Sequence, residues 1–197
     1  MQEGLAIVDS LGLVIHASGL RSQFSPADLA SDPERVEESV RASYELLKSL
    51  NETGFLSTQA AALAMLLAKR DELDEAERLT RESELLGSAD DVTTQAGWRS
   101  ARARVFARRG SLAEADVLAN EALSIATKSE YAAVRAEAHL ALADVLSRAG
   151  KITQAIAATE EALRIFEHKE MTAASDAIAK ELTELQAKLS AGVPPAP

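Results

Sequence analysis

Five arginines fall within eleven residues of the stretch WRSARARVFARRG: Arg99, Arg102, Arg104, Arg108 and Arg109. The chain around them is acidic, 197 residues long with a formal net charge of −10. A guanidinium is a planar fork of donors that matches a carboxylate or a phosphate. Such a cluster can therefore face nucleic acid, face an acidic partner, or tie one element of the fold to an acidic neighbour. Nucleic-acid binding needs a net basic surface, and a pI near 4.9 argues against it.

The neighbouring segment favours internal ties. From Asp71 to Asp91 there are nine acidic residues and two basic ones, whereas Val92 to Ala113 holds the five arginines and no acid. On a helix advancing about 100° per residue, Arg99, Arg102 and Arg109 share the side of Trp98 and Phe106. Arg104 and Arg108 point away. Arg99 and Arg102 are accordingly expected to reach Glu82, Glu84 or Asp91, and the role of Arg104 and Arg108 stays open at this point.

Other chemistry is sparse. His16, His139 and His168 lack metal-ligand spacing, and there is no phosphate-binding glycine loop or Gly-x-Ser-x-Gly elbow. No catalytic constellation, metal or cofactor is expected. The absence of cysteine excludes disulfides and permits a cytoplasmic address, which is the expected one. No apolar run approaches the roughly 18–20 residues that cross a bilayer, so no membrane partner is expected. The apolar fraction of 47% marks a folded chain, and 4% aromatics with abundant Ala and Leu favours packed helices over sheets.

What positions the arginines is a repeat. KRDELDEAERLTRESELL, RRGSLAEADVLANEALSI and RAGKITQAIAATEEALRI superimpose without a gap. Asp71, Gly110 and Gly150 coincide at a turn, Ala76, Ala115 and Ala155 five residues on, and Ser83, Ala122 and Ala162 twelve on. The steps are 39 and 40 residues. A weaker copy upstream places Val36 and Ser43 at the two small sites. Helical hairpins are expected at about 4–50, 55–87, 94–127 and 131–168, with a capping helix at 172–189 and a disordered tail at 192–197. In the cap, Ile178, Leu182 and Leu185 should turn inward and Lys180, Glu184 and Lys188 outward. Residues 1–191 would form one domain. Small residues at the two aligned sites let helices cross closely, and stacking supplies the core that one hairpin lacks.

GSLAEA (Gly110, Glu114, Ala115) matches the turn signature of the tetratricopeptide repeat, and GKITQA and DELDEA match it with one change each. The first-helix signature falls on Leu63 and Ala64, then Leu142 and Ala143, with large residues at Leu67, Phe106 and Leu146. Arg102 departs from it, and the period exceeds the usual 34. The chain thus resembles the tetratricopeptide repeat family. Over residues of about 10–190 it is similar to the repeat region at the carboxyl end of large bacterial signalling and transcription-activator proteins with cyclase-like and ATPase modules. The resemblance implies an all-α, right-handed superhelix of three to four hairpins with a cap. Its concave face would take a protein or peptide partner, with self-association or a small-molecule sensory pocket as alternatives. It also places Arg104 and Arg108 on positions that line the inner surface. With Ser100 and Trp98 they become candidates for contacting a partner, an acidic one among the possibilities. For Trp98 core packing is the competing reading. The degenerate first hairpin fits a chain cut from a longer polypeptide.

Overall fold

The computed structural model describes residues 15–16, 24 and 26–192. Among them the secondary structure is helical throughout: α1 (Pro26–Ser31), α2 (Pro33–Ser49), α3 (Thr53–Lys69), α4 (Leu73–Leu86), α5 (Val92–Arg108), α6 (Leu112–Ala126), α7 (Ala132–Arg148), α8 (Ile152–His168) and α9 (Thr172–Ser190). Apart from Ile15, His16 and Phe24, the expected first helix of the opening hairpin lies outside the described residues, as does all but the first residue of the expected disordered tail. No described helix is long and apolar enough to cross a membrane.

Helix starts and stops follow local chemistry. Asp32 caps α2, with Pro33 just inside the helix where its missing N–H is harmless. Glu52 accepts from the backbone of Gly54 and Phe55 to start α3, and Asp91 accepts from Thr93 and Thr94 to start α5. Five helix ends share one device. Asn51, Asp71, Gly110, Gly150 and Glu170 all adopt positive φ, between 52° and 83°. In each case the next residue donates back to a carbonyl five positions earlier, as Ser111 N does to Phe106 O at 2.9 Å and Lys151 N to Leu146 O at 2.9 Å. That is the Schellman closure, which satisfies carbonyls the helix leaves unpaired. The aligned turn position is therefore a left-handed position, and glycine occupies it twice because it alone takes that conformation without penalty.

Helices pair as α3 with α4, α5 with α6 and α7 with α8. Each second helix also packs on the first helix of the following pair, α8 on α9 included, and α3, α5 and α7 pack in succession. Ala76, Ala115 and Ala155 are wholly buried, as are Ser83, Ala122 and Ala162. The same two sites in α2, Val36 and Ser43, are also buried. Leu63, Ala64 and Leu67 fill the seam of the α2–α5 cluster together with Leu79 and Val105. On α9, Ile178 and Leu185 are buried and Leu182 is half-buried, whereas Lys180, Glu184 and Lys188 are exposed. α1 packs against α9, from the opposite end of the chain.

Candidate functional site

α5 has neighbours on several sides: α3 and α4 before it, α6 and α7 after it. Its arginines reach every one of them. Arg102 Nη2 lies 2.8 Å from Glu84 Oε2 on α4, and its Nε donates to Thr80 Oγ1 at 3.0 Å. Arg109 pairs with Asp74 at 2.5 Å and with Glu77. Arg99 turns to α6, where its Nε meets Glu121 Oε2 at 3.2 Å, and its Nη1 donates to Gln95 Oε1 at 2.7 Å. Arg104 binds Glu137 on α7 and lies 3.9 Å from Asp144. Arg108 Nε donates to the Ala68 carbonyl at 2.5 Å, in the last turn of α3, and is 3.5 Å from Asp71. A cation there complements the carbonyl end of the helix.

The expected acidic partners are thus redistributed. Of Glu82, Glu84 and Asp91, Glu84 alone receives one of the two arginines, Arg102. Glu82 accepts from the Tyr44 hydroxyl at 2.8 Å and from Arg78 at 3.1 Å. Asp91 is spent on the α5 cap, with Thr94 Oγ1 donating to it at 2.6 Å. An N-cap carboxylate is already satisfied by backbone donors and is poorly placed to hold a guanidinium as well.

The residues expected to line an open groove are closed in instead. Trp98 and Ser100 are buried, and 3% of the Arg104 side chain is exposed. Arg108 is 12% exposed. The Arg99 and Arg102 guanidiniums lie 4.0 and 4.4 Å from the Trp98 ring, so the tryptophan is sheathed by cations. Its Nε1 donates to Gln95 Oε1 at 3.2 Å. The wheel separates the arginines by direction, but a helix flanked by four others offers little solvent to any direction. Burial opposes the charge on Arg104, yet Glu137 and Asp144 outweigh it and hold its pKa above the usual arginine value.

Beyond Arg104, charged groups from three helices approach it: Lys69 on α3, Glu137 and Asp144 on α7, and Glu181 on α9. Asp144 accepts from Arg148 Nε at 3.1 Å. Lys69 and Glu181 have no ion pair or hydrogen bond among the described residues. Both are exposed to solvent. Protein nevertheless crowds them, and that crowding is the largest influence on each, pushing the Lys69 amine down and the Glu181 carboxyl up. Of the two, Glu181 lines a concavity between α7 and α9 together with Asp144, Lys180, Glu184 and Lys188. Sequence reading missed this set, although one signal was present: Lys69, Arg108 and Arg148 occupy the same register, two residues before the aligned turn.

No family model matches the chain, and no curated protein matches it.

Proposed function

We propose that the chain is a non-catalytic interaction module of the tetratricopeptide type, a right-handed superhelix that presents its first-helix face to a protein or peptide partner in the cytoplasm. One observation carries the reading. α3, α5 and α7 pack directly on one another, so a single face runs across three repeats and gathers charged residues from each. Extended faces of stacked repeats suit elongated partners, because successive repeats contact successive segments. The arginine cluster serves this face indirectly: its ion pairs fix the spacing of the helices that build it.

The test places a photo-crosslinking residue at Ser147, on α7 beside α9, or at Val117, an α6 residue that is 56% exposed. A distinct protein adduct formed from Ser147 and absent from Val117 is the expected result. Equal labelling from both positions, or none from Ser147, would overturn it. An adduct with a second copy of the chain, together with a dimer mass in light scattering, would replace it by self-association.

A further inference from the structure

α3 carries buried residues on every side, and neighbouring repeats account for most of them. Thr58 Oγ1 lies 2.7 Å from Thr94 Oγ1 on α5, and a Cβ at Gly97 of α5 would lie 3.3 Å from that of Ala61. Ala60, Ala64 and Leu67 are wholly buried in the cluster shared with α2 and α4. Phe55, Gln59, Ala62 and Leu66, at spacings of four, three and four, form a further stripe. It lies roughly 140° around the helix from Ala60, Ala64 and Leu67. Residues that precede α2 reach this side. The His16 ring meets the Phe55 ring edge-on at 6.1 Å, and Ile15, Phe24 and Leu29 pack on the cluster to which Leu66 belongs.

The cover is incomplete. Phe55 remains 46% exposed. Gln59 Oε1 is buried without a hydrogen-bond partner among the described residues, and an acceptor left so is destabilising until a donor reaches it. The cover is also lightly held. No residue of α1 is fully buried, Leu29 included, and α1 joins α2 through Asp32 alone. An element with few buried apolar contacts opens more readily than the core it lies on. A segment that enclosed Phe55 and donated to Gln59 would therefore hold this stripe better than the chain's own residues do.

We propose that this stripe of α3 is a peptide-docking surface, that residues 15–31 are its resident occupant, and that an apolar segment of a partner protein takes their place. The resident residues define the partner's chemistry: an aromatic and an aliphatic anchor five residues apart, as Phe24 and Leu29 are, with a side-chain donor added for Gln59. Because α1 also packs on α9, the replacing segment must cover both helices. The resident competes with it, so the partner's apparent affinity is reduced by the fraction of chains whose stripe is free. The inference rests on the reading of the chain as an interaction module and adds the surface and the occupant. Crosslinking from Ser147 can fail while this stripe exchanges its occupant, and the reverse.

The probe is a fluorescein-labelled synthetic peptide of residues 15–31, titrated by fluorescence anisotropy against full-length chains. Phe24→Asp with Leu29→Asp loosens the resident segment, and that chain should bind the peptide with a Kd below about 100 μM. The wild-type chain, its stripe occupied, should bind at least roughly tenfold more weakly. Adding Phe55→Glu to the loosened chain should weaken binding roughly tenfold or more, because it puts a charge on the docking stripe. Helix content by circular dichroism should be the same in all three chains. A folded, loosened chain that does not bind would overturn the proposal, as would equal binding by the wild type or indifference to Phe55→Glu. Should the double substitution lose helix content, Phe24→Ala replaces it under the same criteria. Loss of helix content there too would make the segment part of the core and overturn the proposal. A dimer mass for the wild type in light scattering would assign the stripe to a second copy's segment, which also overturns it.

Discussion

Arg104 on α5 is bonded to Glu137 on α7, and it is the most enclosed arginine of its cluster, with 3% of its side chain exposed. The bond joins first helices of consecutive repeats, 33 residues apart in sequence. Packing of α5 on α7 thereby depends on a charge that has no water to fall back on.

Removal of that charge should therefore be costly, because it leaves Glu137 without its cation, whereas Asp144 keeps Arg148. Arg104→Ala is expected to lose about 3–5 kcal/mol, the range for breaking a buried pair. Arg109→Ala should lose less than about 1 kcal/mol, since its partner Asp74 is fully exposed and its other partner Glu77 keeps Arg81. Urea unfolding of the two variants checks the contrast, and equal losses would contradict it.

The alanine seam makes a second expectation. Ala115 is wholly buried in a cluster with Ala103, Ala107, Ala119 and Val145. Leucine there must push helices apart, and Ala115→Leu should lose about 1–3 kcal/mol through overpacking. A loss below about 0.5 kcal/mol in chemical denaturation would show that the seam has room.

Backbone handedness at the turns can be read by exchange in both directions. Glu170 has a φ of 55° at the end of α8, the same helix-end conformation that Gly110 takes at 83° at the end of α5. Glu170→Gly should gain about 1 kcal/mol by removing the left-handed penalty, offset in part by the freer unfolded chain. Gly110→Ala should lose about 1 kcal/mol. A Cβ at Gly110 meets nothing within 4 Å, so that loss is backbone strain alone. Thermal melts of the pair, run together, should move in opposite directions.

His139 supplies a pH dependence. Burial depresses its pKa below 6.5; Glu161 opposes that shift and Arg164 adds to it, both from α8. The folded site resists a proton that the unfolded chain accepts, so stability is lost as pH falls through about 6.5. His139→Gln removes the titrating group. Between pH 7.5 and 5.5, values that bracket its ordinary pKa by about one unit on either side, the wild-type chain should lose more stability than the variant. Parallel pH profiles would refute this.

The turn positions and the buried alanines were legible in the sequence because each depends on a local requirement repeated three times: a left-handed residue at the turn, a small one at the crossing. Partners of the arginines were legible only where they lay in the preceding helix, as Glu84 does. Glu121, Glu137 and the Ala68 carbonyl belong to helices that a wheel drawn on α5 cannot display. The approach of Glu181 to Lys69 and Arg104 was beyond reach for a further reason. It brings α9 toward α3 and α5 across the intervening repeats, and no periodicity relates these positions.

The contact between α1 and α9 changes how the array should come apart. Stacked repeats that touch only their neighbours fray from either end, one interface at a time. Here, shedding α9 also releases α1, and loosening α1 exposes α9. Two termini that would each be a weak point become mutually dependent. Such long-range contact slows assembly, since the whole chain must be spanned before the last interface closes. The same contact makes dissolution more nearly all-or-none than the modular sequence suggests.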